Sequence, residues 1–303
     1  MFKYVVKRVL LALVTIFLVC LITFFAMNAI PGGPFNGEKA KSPEVQAVLE
    51  KRFNLDKPVG EQFVLYMKNI MHGDFGISAK TGRDISATIS GKFKVSAYMG
   101  LWAVLLAVVE GVVFGSIAAL NRNRWPDRVI IFLATLFTSL PSFVLGSFLL
   151  VIFSVQLGWV KAWSATSQNI ILPVLSLAAY PAAYITRLTK TSMLDVLGQD
   201  YVRTARAKGV KETKVLFVHT LRNSLIPVVT YLGPMIAGVL TGSLVVEQIF
   251  TIGGLGSEFV QSITNRDYPM IMGVTIFLAT FMVIMNLITD IVYKLIDPRI
   301  NLD

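Results

Sequence analysis

Charged residues are scarce in this sequence of 303 residues. They make up 15% of the chain, against about 25% in an average soluble domain, while 54% of the residues are hydrophobic. This composition excludes an ordinary soluble fold, and it excludes disorder, because a disordered chain must stay solvated in water. Cys20, His72 and His219 are the only residues of their types, too few for a disulfide framework or a Cys/His metal cluster. The composition indicates a membrane protein.

Long apolar runs are abundant instead. A helix needs about 20 apolar residues to cross a hydrocarbon core of about 30 Å. Six runs qualify, so the sequence predicts an all-α, polytopic membrane protein with six transmembrane helices. Only the second run contains an ionisable residue, Glu110, and the fourth is short; without it the count is five and the termini lie on opposite sides. The predicted spans are 9–30, 97–120, 129–153, 170–186, 224–246 and 270–289.

The basic residues predict that both termini are cytoplasmic. In that orientation sixteen of the 28 Lys and Arg residues lie inside, and the two short outer loops contain only Lys161 and Arg266, as the positive-inside rule requires. The outer segment 31–96 holds the other ten, but segments longer than about 60 residues translocate largely regardless of charge. Within it, Ser42-Pro43 followed by apolar residues at helical spacing predicts a helical cap on the outer face.

Much of the predicted inside charge lies in one loop, 190–223. Its small residues Ala205, Ala207 and Gly209 would permit close approach by a partner, while the basic neighbours keep the other faces hydrated. A loop of this composition with no further role would bind lipid headgroups or only enforce topology.

This loop resembles the cytoplasmic coupling segment of inner-membrane subunits of ATP-binding-cassette (ABC) importers, in the form found in the dipeptide and oligopeptide group. The broader family has Glu-Ala-Ala four residues before the glycine, where this chain has Arg203, Thr204 and Ala205, so no role of that glutamate is transferred. The sequence motifs that carry the resemblance are Tyr201-Val-Arg-Thr-Ala-Arg-Ala-Lys-Gly209, His219-Thr-Leu-Arg-Asn-Ser-Leu-Ile-Pro227, Pro31-Gly-Gly-Pro-Phe, Gly73-Asp-Phe-Gly-Ile-Ser, Val246-Glu-Gln-Ile-Phe, Gly253-Gly-Leu-Gly256, Asn265-Arg-Asp-Tyr-Pro269 and Ile296-Asp-Pro-Arg299.

The resemblance implies a type I ABC importer permease in the bacterial cytoplasmic (inner) membrane. This chain would form half of an oligopeptide pathway beside a second, homologous permease, with two ATPase subunits inside and a peptide-binding protein outside. It would not be an enzyme and would hold no cofactor, since ATP and Mg²⁺ belong to the ATPase subunits and the chain has no Gly-x-x-x-x-Gly-Lys-Ser/Thr loop. Its contacts would be peptide and lipid, with no nucleic acid.

Four regions follow from the spans and the resemblance. Residues 1–30 form an N-terminal anchor helix, and 31–96 form an extracytoplasmic helical segment. Residues 97–293 form the transmembrane domain with five helices and the coupling loop, and 294–303 form a cytoplasmic tail. A short helix from 203 to about 217 is expected to sit in a cleft of the ATPase. The expected coupling residues are Arg203, Thr204, Ala205, Arg206, Ala207, Lys208, Gly209, Val210 and Lys211.

The predicted translocation pathway is marked by Glu110, Pro141 and Asn286. A charged glutamate in mid-membrane costs about 2.5 to 3.5 kcal/mol, so Glu110 must face helices or water, or be protonated. It either meets the amino end of a peptide or makes a structural hydrogen bond; Asn286 too has a structural alternative near the wet inner end of its span. Helix-breaking prolines occur in spans three to five, at Pro141, Pro173, Pro181, Pro227 and Pro234.

Two other functions are compatible with six spans. An ion-driven secondary transporter of small solutes would usually show inverted repeats with broken helices, and no internal duplication is visible here. A membrane scaffold or receptor would act through the outer segment. Neither alternative needs a glycine-containing inside loop that fits a motor.

Overall fold

The computed structural model describes residues 2–30, 54, 56–164 and 166–296, and these residues are predominantly helical. Extended structure within them is limited to an isolated bridge between Ile77 and Asp84. The predicted helix after Ser42 and the tail beyond Ile296 lie outside the described residues. The helices are α1 (Phe2–Ala29), α2 (Val59–Met71), α3 (Ile85–Leu120), α4 (Trp125–Ser139), α5 (Ser142–Gln156), α6 (Ile171–Leu197), α7 (Asp200–Ala207), α8 (Glu212–Ser224), α9 (Ile226–Ile249), α10 (Leu255–Thr264) and α11 (Tyr268–Ile296).

Four continuous helices of the described residues are long and apolar enough to cross a membrane, and the number reaches the predicted six if each of two bent helix pairs is one span. The four lie within α1, α3, α6 and α11. In the two bent pairs, α4 and α5 meet at 104°, and α8 and α9 meet at 47°. The third predicted span, 129–153, is therefore a broken helix or a re-entrant loop.

Helix α9 extends beyond its predicted end and includes a buried carboxylate. The hydroxyl groups of Ser96 and Ser243 donate hydrogen bonds to Glu247 Oε1 at 2.6 and 2.8 Å. Because these bonds satisfy the carboxylate, it is tolerated inside the helix bundle. The predicted run 224–246 ends one residue before Glu247, so this buried carboxylate lies just beyond the predicted span.

The chain divides into two compact units. The first combines the described parts of 1–95 and 253–284. There Phe63 of α2 packs against Phe24 of α1, with ring centroids 5.3 Å apart. A second cluster of the same unit consists of Ile85, Ile89, Leu255, Met270 and Val274.

A buried hydrogen-bond network closes the loop that precedes α3 in the first unit. The Ser78 hydroxyl donates to the carboxylate of Asp267, and the Ala79 N–H donates to the same carboxylate at 3.1 Å. Ser78 and Asp267 are 1% and 4% exposed. The loop 73–78 therefore contacts the turn before α11. Both segments contain motifs on which the resemblance rests.

The second unit comprises 96–252 and the described part of 285–303. In this unit α3 and α6 pack closely, because Gly111 and Gly115 present no side chain. A Cβ at Gly111 would lie 2.5 Å from Ile185 Cβ, and one at Gly115 would lie 2.6 Å from Thr186 O. These distances leave no room for any other residue, as in small-residue interfaces of membrane helices.

Candidate functional site

The predicted coupling segment is a helix–turn–helix, and the prediction of one helix from 203 to about 217 is wrong. Helix α7 ends at Ala207, where Gly209 adopts φ +73°, a left-handed conformation that favours glycine. The Gly209 N–H donates to Arg206 O at 3.0 Å, and the Val210 N–H donates to Ala205 O at 3.2 Å. This pair of bonds is a Schellman cap. Gly209 therefore terminates α7 and turns the chain toward α8.

Ala205 faces the interior of this segment. It forms a small apolar cluster with Val202 and Val215, against which Val196 and Val210 pack. Val202 and Val215 are fully buried. The Ala205 side chain therefore packs inside the segment, whereas Ala207 and Gly209 are exposed.

Polar contacts hold α7 to α8. The Asn223 side chain donates to the Tyr201 hydroxyl at 2.9 Å. The Arg206 guanidinium donates to both carboxylate oxygens of Glu212, at 2.6 and 3.2 Å. This contact raises the pKa of Arg206, mainly through the hydrogen bond to Glu212. The segment is thus internally braced and not a loose loop.

The other predicted coupling residues lie on the surface of this helix–turn–helix. Val210 is half-buried, and no atom of the described chain lies within 4 Å of a Cβ built on Gly209. The face is strongly basic. Its exposed members are Arg203, Thr204, Arg206, Ala207, Lys208, Gly209 and Lys211.

Helix α6, which leads into α7, is joined to the start of α4 by an ion pair. Lys190 Nζ lies 2.5 Å from Asp127 Oδ1, and the two side chains are 20% and 6% exposed. The Asn123 N–H donates to Asp127 Oδ2 at 2.9 Å. The connection before α4 is therefore fixed to the helix that carries the coupling segment.

A cavity of about 450 Å³ lies where three prolines come together, and we call it the proline cavity. Pro141 separates α4 from α5, Pro181 lies inside α6 and Pro234 lies inside α9. The predicted pathway residue Pro141 is therefore at a wall of open space. The other lining residues are Thr138, Ser139, Leu140, Ser142, Leu177, Tyr180, Tyr231, Met235, Gly238 and Val239.

Glu110 lines a second cavity, of about 400 Å³. Its walls are apolar apart from Glu110 and Thr186, whose hydroxyl donates to Ala182 O at 2.8 Å. Glu110 is half-buried. Asn286 is exposed on α11 and lines neither cavity. The three predicted pathway residues are thus not brought together within this chain.

Sequence reasoning missed the Asp127–Lys190 pair and the buried Glu247. Asp127 follows Trp125-Pro126, a helix start, where an acidic residue is ordinary. Its partner lies 63 positions later in the chain. Local sequence carries no signal that joins these positions. Glu247 lies within the motif Val246-Glu-Gln-Ile-Phe, and the resemblance of this motif to the family is the available signal.

The apolar helices and the basic, capped helix–turn–helix define the class of protein: a polytopic helical subunit of a membrane transporter. Residues 111–302 match the family described as the binding-protein-dependent transport system inner membrane component, and residues 1–96 match its N-terminal counterpart. The chain belongs to this family of inner-membrane components. The predicted ABC importer permease is confirmed, and the family argues against the ion-driven alternative.

Curated relatives match along the whole chain. The chain is 44% identical to the dipeptide transport system permease protein DppB of Bacillus subtilis (strain 168), with 100% of this chain and 99% of the relative covered. It is 41% identical to the oligopeptide transport system permease protein OppB of Haemophilus influenzae, over 99% of this chain and 100% of the relative. It is 40% identical to the glutathione transport system permease protein GsiC of Escherichia coli (strain K12), over 99% of each.

Solved structures show the same fold at low sequence identity. The inward-facing MetNI methionine ABC transporter aligns with a TM-score of 0.56 and 17% identity, over 69% of this chain and 95% of that chain. An amino acid ABC transporter solved with histidines aligns with a TM-score of 0.52 and 18% identity, over 71% of this chain and 95% of that chain. The prediction of the type I importer fold is confirmed.

Proposed function

We propose that this chain is one permease subunit of an ATP-driven importer of peptides. Its peptide substrate is inferred from relatives named for dipeptide, oligopeptide and glutathione transport. In the proposed assembly a second, homologous permease completes the pathway, two ATPase subunits hydrolyse ATP with Mg²⁺, and a peptide-binding protein delivers substrate from outside. This chain performs no hydrolysis. Both termini face the cytoplasm.

The observation that supports the coupling role is the capped surface of α7. Its Schellman cap, apolar cluster and contacts to α8 hold the segment after α6 in one conformation. Rigidity matters because a flexible loop would absorb an ATPase movement instead of passing it on. The basic residues beside Gly209 are exposed and can meet acidic groups of a partner.

The four regions predicted above describe this division of labour. Segment 31–96 would lie on the outer side of the membrane, and 97–293 would carry both the pathway and the coupling segment. Glu110 and Pro141 would line the pathway from different cavities. Asn286 would contribute only in the assembled transporter, from the exposed side of α11.

Gly209 gives the sharpest test of coupling. Asparagine tolerates the left-handed conformation that Gly209 adopts, whereas valine does not. In the complete transporter, reconstituted with peptide-loaded binding protein, Gly209→Val should lower peptide uptake per ATP about tenfold, as expected if roughly 1.4 kcal/mol of coupling is lost. Gly209→Asn should stay within about threefold of wild type, since the cap survives.

Three measurements belong together: assembly of the subunits, peptide uptake and ATP hydrolysis. Uptake should fall in Gly209→Val while the assembled complex still hydrolyses ATP. If both uptake and hydrolysis survive in Gly209→Val, the coupling assignment is wrong. If the wild-type chain purifies from its native membrane without ATPase subunits, the importer proposal itself fails.

A further inference from the structure

Some residues that line the proline cavity have a backbone carbonyl group without its usual intrahelical donor. Proline has no N–H, so Pro181 cannot donate to Leu177 O, and both residues line the cavity. Helix α4 ends at Ser139, just before Pro141, and the last carbonyls of a helix have no intrahelical donor. Leu177 of α6 and the last residues of α4 line the cavity, so two helices bring hydrogen-bond acceptors to the same open space.

The hydroxyl groups of the cavity wall add acceptors. Thr138 and Ser139 donate their protons to carbonyl groups of their own helix, at 3.0 and 2.9 Å, which leaves lone pairs for a ligand. The C-terminal end of α4 also carries the negative end of the helix dipole. Among the described residues that line the cavity, none carries a formal charge. The site is uncharged, and the hydroxyl groups of Ser142, Tyr180 and Tyr231 add further groups that can accept a hydrogen bond from a ligand or donate one to it.

Such a site can bind a ligand that presents several hydrogen-bond donors along its length. We propose that the proline cavity binds the backbone N–H groups and the α-ammonium group of the peptide in transit. This inference rests on the proposed function and specifies how this chain recognises its substrate. An uncharged wall selects the common backbone of peptides, and the apolar side chains of Leu177, Met235 and Val239 can accept varied side chains.

The size of the cavity and its chemistry agree with this occupant. About 450 Å³ lies within the range of about 300 to 1,000 Å³ that is typical of small-molecule sites. A lipid acyl chain is the competing occupant, but it offers no donor to the carbonyl groups. Broken helices in transporters generally expose backbone groups only where these line a cavity. The 104° break between α4 and α5 is such a case.

Gly238 allows the cavity to be filled without a clash. It lines the cavity, and a Cβ built there meets nothing within 4 Å. The matched control is Gly91, a helical glycine of α3 that also has nothing within 4 Å and lies outside the cavity. In the reconstituted transporter, Gly238→Leu should lower uptake of trialanine about tenfold, equivalent to about 1.4 kcal/mol, whereas Gly91→Leu should match wild type. Wild-type uptake by Gly238→Leu would overturn the proposal.

N-methylated peptides test the hydrogen bonds themselves. A methyl group removes one N–H from trialanine, and a net hydrogen bond is worth about 1 kcal/mol, or about fivefold. At saturating loaded binding protein, wild type should transport at least one singly N-methylated trialanine about fivefold more slowly, after correction for the measured affinity of the binding protein. A lipid-filled cavity would show no such discrimination, and this result would overturn the proposal.

Pro181→Ala restores an N–H that can pair with Leu177 O, and it should therefore weaken the discrimination. Pro173→Ala is its control in the same helix, because Pro173 lies in the first turn of α6, where an N–H has no intrahelical acceptor. Equal discrimination in Pro181→Ala and wild type would overturn the role of the freed carbonyl groups. Absence of all peptide uptake by wild type would instead overturn the proposed function, and the subsite with it.

Discussion

The two halves of helix α6 differ in packing. Around Leu177 and Pro181 the helix borders the proline cavity, whereas Ile185 and Thr189 pack against glycines of α3 that leave no room for a side chain. The tight half continues to Lys190, which pairs with Asp127, and then to the coupling segment. One helix therefore combines a half with open space beside it and a half fixed to its neighbours.

This difference indicates how movement would pass along α6. A tightly packed half moves as one body with α3 and α4, since close-packed contacts deform little. The half beside the cavity has a proline that lacks one backbone bond, so it can bend at lower cost. We infer that a push on α7 would be delivered as a change in the shape of the proline cavity.

The largest effect is expected from breaking the ion pair. Lys190→Met leaves the buried Asp127 carboxylate without its partner, and losing one member of a buried pair costs about 3 kcal/mol or more. Equilibrium unfolding of the purified chain in detergent with increasing SDS measures this loss. The double variant Asp127→Asn/Lys190→Met should regain much of the stability, because no unpaired charge remains. Wild-type stability of Lys190→Met would show that the pair does not fix the tight half.

A smaller loss is expected from adding one methyl group to the tight half. A Cβ at Gly115 would lie 2.6 Å from both Thr186 O and Thr189 Cβ, so α3 and α6 must move apart. Overpacking of this kind costs about 2 kcal/mol, more than alanine gains in helix propensity. The same SDS unfolding should give a lower midpoint for Gly115→Ala. An unchanged midpoint would mean that the two helices separate freely.

Replacing a glycine with alanine beside the cavity should change the stability in the opposite direction, and by the smallest amount. Gly238→Ala places its Cβ in open space, so only the helix propensity changes, by about 0.5 to 1 kcal/mol in favour of folding. The SDS midpoint should rise slightly. Destabilisation by Gly238→Ala would contradict the contrast between the two halves, since it would reveal close packing at the cavity wall.

The sequence predicts the apolar runs well, because the thickness of a bilayer sets their length. It shows where the prolines are, but it does not predict whether a helix bends there. Pro141 accompanies a 104° bend, whereas Pro181 lies in a helix that is continuous from Ile171 to Leu197. The missing bond is the same in both cases. Packing of neighbouring helices decides the outcome, and these contacts come from distant parts of the chain.

The coupling segment shows the same limit at one residue. The sequence predicts that Gly209 permits close approach by a partner, and the conformation of Gly209 shows that it caps a helix. Both roles select glycine, so the residue type alone cannot separate them. Ala205 is similar: a small side chain suits a contact with a partner or a small internal cluster, and the cluster became visible only once Val215 was brought next to it.

The bond between Ser78 and Asp267 also has a consequence for biosynthesis. These residues are 189 positions apart, and the unit that contains them draws on both the beginning and the later part of the chain. During synthesis the loop can first form only its local bonds, such as those from the Lys80 and Thr81 N–H groups to the Ser78 hydroxyl. The contact with Asp267 therefore forms late, and a chain truncated before residue 267 would lack it.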